Sequence, residues 1–203
     1  MSLTITIIVI TIGLSLLAFN NAKMMNDLIF HPYSVVRQNQ YYRFLTSGFL
    51  HADFAHLAFN MFTLYFFGRV WEQVYIGFMD VPRYMYLVLY IAAMVVADIP
   101  SYLRHKDDYN YRSLGASGAV SAVVFSMILY SPWSTLYVFF LPMPAIVYAL
   151  LFLGYSIYMD KKGGDRINHG AHLWGAIFGL VFTVAIKPGI VQIFLHQLLN
   201  PNF

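Results

Sequence analysis

Residues 115–130 read GASGAVSAVVFSMILY. The stretch carries no charge, opens on small residues and stops at Ser131-Pro132, a helix terminator. At 100° per residue, Ser117, Gly118, Ser121 and Ala122 share one broad side of a helix. Faces of small residues let membrane helices approach closely, so this run predicts a helix packed inside a bundle. A serine at a helix start has a second use. Its backbone N–H lacks an intrahelical partner and can donate to an oxyanion. Packing face and nucleophile both stay open at this point.

Five further apolar runs surround it, at about 3–19, 52–67, 84–97, 145–159 and 171–186. The third is expected to end at Asp98 and Pro100, the sixth at Lys187-Pro188-Gly189. The chain of 203 residues is 60% hydrophobic and 10% charged, whereas soluble domains average about 25% charged residues. So few charges cannot cover a water-facing surface. The expected fold class is therefore all-α, a polytopic membrane bundle of six transmembrane helices forming a single domain over 1–203. The run at 3–19 lacks a preceding basic residue and reads as a retained first helix rather than a leader. Residues 20–50 mix aromatic and polar side chains, as expected of a link lying at the membrane interface. The net charge of +3 is scattered over loops, which excludes a nucleic-acid partner, and the absence of cysteine excludes disulfides and a thiol nucleophile.

Two other polar clusters interrupt the apolar runs, where burial is costly without a partner or a task. In Gly170-Ala171-His172-Leu173-Trp174-Gly175, followed by Gly179, the imidazole and the last two glycines lie within about 60° on a helix. His172 thus shares a bare face that can dock against the small face headed by Ser117. A serine needs a base to take its proton, and His172 can serve. In HADFAHLAFN, His56 and Asn60 are one turn apart, while His51 lies about 140° from His56. That spacing argues against a shared metal face. His56 and Asn60 can both donate hydrogen bonds, which suits an oxyanion hole, and His51 suits a structural place at the helix entrance. No metal or other cofactor is expected. A haem bundle with His56 and His172 as axial ligands is the rival reading from another class.

HxxxxHxxxN, GASG and AHxxGxxxG, in that order and in three separate runs, resemble the rhomboid family of intramembrane serine proteases. The likeness covers about Arg43 to Gly179. It implies Ser117 as nucleophile and His172 as general base in a dyad without an acid. It implies an oxyanion hole from the Ser117 N–H with His56 and Asn60, and Gly115 in the turn before the nucleophile. It also implies that Arg43 pairs with Glu72, the one glutamate of the chain. Three positions depart from the pattern. Tyr42 stands for a tryptophan, Ser121 for an aromatic that stacks on the histidine, and Trp174 for a small or aliphatic residue.

The implied activity is endopeptidase cleavage in or near transmembrane segments of membrane proteins, which with the lipid bilayer are the expected partners. The alternative is a non-catalytic relative that binds such segments. The resemblance also implies a multi-pass protein of a bacterial inner (plasma) membrane with its site facing outward. The positive-inside count opposes that orientation, since nine of the twelve Lys and Arg residues would fall outside. Arg43, if paired, would weaken the count. Residues 160–168 are expected to form a polar loop able to act as a lid, and Trp174 to rebuild packing missing at Ser121.

Overall fold

In the computed structural model, which describes residues 2–138, 141–164 and 167–201, one helix is surrounded on every side. Twelve of the 14 residues of Ser117–Tyr130 are buried. A helix apolar all round needs neighbours all round, and the chain supplies them. The long helices are α1 (Leu3–Phe19), α5 (Phe54–Thr63), α6 (Arg69–Gly77), α7 (Tyr84–His105), the central α8 (Ser117–Tyr130), α9 (Ala145–Lys162), α10 (His169–Ile186) and α11 (Ile190–Leu199). Three short helices in the first link, α2 (Ala22–Leu28), α3 (Pro32–Gln38) and α4 (Arg43–Thr46), complete the helical set that we number. Strands β1 (Thr135–Val138) and β2 (Leu141–Pro144) pair antiparallel and join α8 to α9.

Two helices, α7 with 22 residues and α10 with 18, are long and apolar enough to cross a membrane on their own, while α1, α8 and α11 are apolar but shorter. The runs at 3–19, 84–97, 145–159 and 171–186 lie within helices and the run at 115–130 becomes helical from Ser117, with four differences. The third run does not stop at Asp98: α7 continues through Pro100 to His105. Proline removes one backbone bond, and neighbouring helices can meet the loss in an apolar bundle. The second run continues to Gly77 through a turn of π-helix at Leu64–Gly68. There a Cβ on Gly68 would strike the Tyr86 hydroxyl and the Thr4 side chain, so the glycine lets α1 and α7 close on this point. Residues 190–199 form a helix that the run pattern omits. The lid segment is partly helical, since α9 extends to Lys162, and Asp165 and Arg166 lie outside the described residues.

The expected Arg43–Glu72 ion pair is not formed. Arg43 is buried, and its guanidinium donates to the carbonyls of Asn26 and Ile29 and to the Gln40 side chain, at 2.9, 2.6 and 2.6 Å. Glu72 instead caps α1 from outside, accepting the Leu3 and Thr4 N–H groups at 2.8 and 3.0 Å and the Ser2 hydroxyl at 2.6 Å. Its charge partner is Arg83, whose Nε lies 3.0 Å away. A carboxylate at a helix N-terminus meets orphan N–H groups and the positive end of the helix dipole, which is why burial is tolerated here.

The α8–α10 seam is closer than side-chain packing allows. A Cβ on Gly175 would land on the Gly118 carbonyl, and one on Gly179 on the Ala122 backbone. On its α7 side, Gly118 would collide with the Ala97 methyl at 2.6 Å. One hydroxyl rivets the seam: Ser126 of α8 donates to the Gly179 carbonyl at 3.0 Å, an acceptor that also takes the Thr183 hydroxyl from within α10 at 2.7 Å.

Candidate active site

The seam fixes where its polar ends meet. Ser117 is the first residue of α8 and His172 lies in the first turn of α10, so two helices starting at the same end bring them together. His172 Nε2 lies 2.7 Å from Ser117 Oγ. A neutral imidazole with its proton on Nδ1 can accept the serine proton in this arrangement. Both side chains are half-buried and line one cavity of about 570 Å³.

The turn before the serine has a shape only glycine adopts easily. Gly115 has φ +125°, in the region L side chains rarely occupy. A Cβ there would also meet His56 Cε1 at 2.8 Å and Nε2 at 3.0 Å, so the His56 ring lies directly over Gly115, beside the serine. The turn is tied down from two sides. The Gly115 N–H donates to the Ser47 carbonyl at 3.1 Å, and Ser113 exchanges two backbone hydrogen bonds with Phe30. The first link therefore clamps the turn that leads into Ser117.

Asn60 lines the same cavity and is almost fully buried. Its amide nitrogen donates to the His56 carbonyl one turn back at 3.0 Å, which uses one of two amide protons and leaves the second for the cavity. Asp53 caps the same helix through the His56 N–H at 2.8 Å. His51 does not line the cavity. It is wholly buried behind His56, ring against ring at 4.9 Å and 72°. The Ser15 hydroxyl spends its proton on the Phe49 carbonyl, so His51 donates to it from Nδ1 at 3.0 Å, leaving its Nε2 without a partner among the described residues. Burial, with His56 alongside, lowers the His51 imidazole to about 3, against a smaller opposing pull from Asp53. His51 is thus neutral and acts as a wall.

Two residues of the site escaped sequence reasoning. Asn168 caps α10 by accepting the Ala171 N–H at 3.0 Å, accepts the Ser101 hydroxyl of α7 at 3.2 Å, and donates to Ser113 at 3.4 Å. It ties α7, α10 and the turn before Ser117 at one point. An asparagine just ahead of an apolar helical run was the available signal. The other is Phe152 of α9, whose ring stacks on His172 with centroids 6.1 Å apart and planes at 23°. Trp174 does not fill the gap left at Ser121; it points outward and is 44% exposed. No group of three or more metal-ligating side chains occurs among the described residues.

The family model described as the Rhomboid domain matches residues 38–188. Among similar curated proteins, RHOMBOID-like protein 12, mitochondrial, of Arabidopsis thaliana is 29% identical over 84% of this chain and 54% of its own length. The human presenilin-associated rhomboid-like protein, mitochondrial, is 31% identical over 68% of this chain and 36% of its own. Rhomboid protease GluP of Bacillus subtilis (strain 168) is 28% identical over 75% of this chain and 27% of its own. The chain thus spans about half, or less, of the length of these relatives.

Proposed function

The chain belongs to the rhomboid family of membrane proteins, and from that premise we propose that it is a serine endopeptidase that cleaves peptide bonds in or near transmembrane segments of other membrane proteins. One observation carries the reading: the 2.7 Å hydrogen bond between Ser117 Oγ and His172 Nε2 in a cavity framed by hydrogen-bond donors.

The geometry suggests the steps. His172 Nε2 takes the Ser117 proton as Oγ attacks the scissile carbonyl carbon. The carbonyl oxygen becomes an oxyanion beside three candidate donors, the Ser117 N–H, the His56 ring and the free Asn60 amide proton. The imidazolium then protonates the leaving amine, and an acyl-enzyme remains on Ser117. Water, activated by His172 in turn, releases the second product. A helical substrate must unwind to offer its carbonyl, so segments with glycine, proline or small residues near the cut are the expected substrates.

In the same reading α1, α5 with α6, α7, α8, α9 and α10 are six spans, and the site opens at the end opposite the N-terminus, since Ser2 meets Glu72 at the far end of α7. The family orientation puts that opening outside. The relatives named above are divided between mitochondria and a bacterium, which gives no support to a bacterial plasma membrane over another compartment. The orientation is tested on the cysteine-free chain by placing single cysteines at the exposed positions Lys106 and Gln73. An impermeant maleimide on intact cells or organelles is expected to reach position 106 and not 73. The activity is tested with a purified transmembrane substrate: Ser117→Ala and His172→Ala should each abolish cleavage. A protein that binds the segment without cutting it would establish the non-catalytic alternative.

A further inference from the structure

Helices α9 and α10 face each other through two matched pairs of rings. Phe152 and Tyr155 are three residues apart on α9, and His169 and His172 are three apart on α10. Tyr155 meets His169 edge-on at 5.4 Å and 82°, while Phe152 meets His172 nearly face-on at 6.1 Å and 23°. Offset-stacked rings at such separations are favourable, and a flat neighbour restricts how the imidazole can turn about its last torsion. Phe152 is itself bracketed by Tyr148 at 5.5 Å and by Phe125 of α8 at 5.4 Å. Its ring is therefore a held surface. Ser121, one turn after Ser117 and lining the same cavity, brings no ring of its own.

Resting on the protease reading above, we propose that Phe152 is the positioning residue that keeps His172 aligned on Ser117. The orientation of the base is then set from α9 and not from the helices that carry the dyad. The rest of α9 is weakly embedded: of its 18 residues only Ala145, Ala149 and Ser156 are buried, and Leu150, Leu151, Tyr155 and Tyr158 are exposed. Any displacement of α9 withdraws the ring from the base. The catalytic geometry is thereby coupled to the seating of this one helix.

A misplacement of about 1 Å at a reacting group can cost about a hundredfold in rate. Phe152→Ala is therefore expected to lower kcat by about tenfold to a hundredfold with KM near wild type. Phe152→Leu, which keeps bulk without a flat ring, should stay slow, and Phe152→Tyr should recover most of the rate. The decisive variant moves the ring: Phe152→Ala combined with Ser121→Phe supplies an aromatic from α8 and should regain activity lost by Phe152→Ala alone. A second readout needs no turnover. Nuclear magnetic resonance of histidine-labelled protein in detergent, with His172→Ala used for assignment, should show the His172 ring signals displaced and broadened in Phe152→Ala and the His51 signals unchanged. A wild type that fails to react with a fluorophosphonate would refute the protease reading, while the ring signals would still decide the role of Phe152. Wild-type kcat in Phe152→Ala, a change in KM alone, a double variant no faster than the single one, or unmoved His172 signals would each overturn the proposal.

Discussion

Helices α9 and α10 are both 18 residues long, yet they are held by opposite means. α10 lies on α8 through glycines whose missing side chains bring backbone against backbone, and the Ser126 hydroxyl bonds across the seam. α9 rests on the same core through three buried small residues, a few aromatic rings, and an ion pair at its end between Arg104 and Asp160 at 3.1 Å. Surface ion pairs of this kind add about 1 kcal/mol or less. The bundle thus separates two demands. A reacting pair of side chains needs a rigid base, and α8 with α10 provides it. On the protease reading proposed above, admitting a substrate helix needs a side that opens at low cost, and α9 is the candidate.

Glycine substitutions test that contrast most severely. Gly179→Val forces a branched side chain into the Ala122 backbone and should cost about 3 kcal/mol or more, enough to abolish the folded protein on thermal melting in detergent. Gly154→Leu on α9, where a Cβ meets nothing within 4 Å, should not destabilise, since leaving glycine in a helix interior is itself favoured by up to about 1 kcal/mol. Equal tolerance at the two sites would erase the distinction.

This part of the molecule was legible in advance. Small residues spaced by one helical turn specify a close seam, and the order of the polar clusters indicated which ends meet. The buried charges were not legible. The resemblance pairs Arg43 with Glu72, but carbonyl oxygens and helix N–H groups satisfy a buried charge as well, and only the folded chain shows which lie within reach. Pro100 misled for a related reason, since the penalty for an interior proline depends on what surrounds the freed carbonyl. The ring over His172 was sought at positions 121 and 174, on the two helices of the dyad, and came from a third.

Buried polar groups outside the α8–α10 seam extend the comparison. Removing the Glu72 side chain leaves the Leu3 and Thr4 N–H groups without their acceptor and breaks the ion pair with Arg83. Glu72→Ala should therefore destabilise by about 3 kcal/mol and loosen the start of α1, read as faster hydrogen exchange there. Asn60→Ala, which on the proposed reading removes one oxyanion donor and spares the seam, should reduce kcat by about a hundredfold while KM changes little.

A further expected effect is on pH dependence. His51 is held neutral by burial, with its imidazole lowered to about 3. The unfolded chain, titrating near 6.5, binds the proton first on acidification. Stability from this group is therefore complete above about pH 6.5 and falls as pH drops toward 3, by at most about 1.4 kcal/mol per pH unit. His51→Gln should flatten the slope of melting temperature against pH in that window. An unchanged slope would mean that another group carries it.

The dyad itself is tested most directly by covalent capture. Purified protein in detergent is treated with a fluorescent fluorophosphonate, and the modified residue is identified by mass spectrometry. The account predicts a single adduct on Ser117 in the wild type, much slower labelling in His172→Ala and none in Ser117→Ala. A folded wild type that resists the reagent, or a Ser117→Ala variant labelled at the wild-type rate, would contradict it.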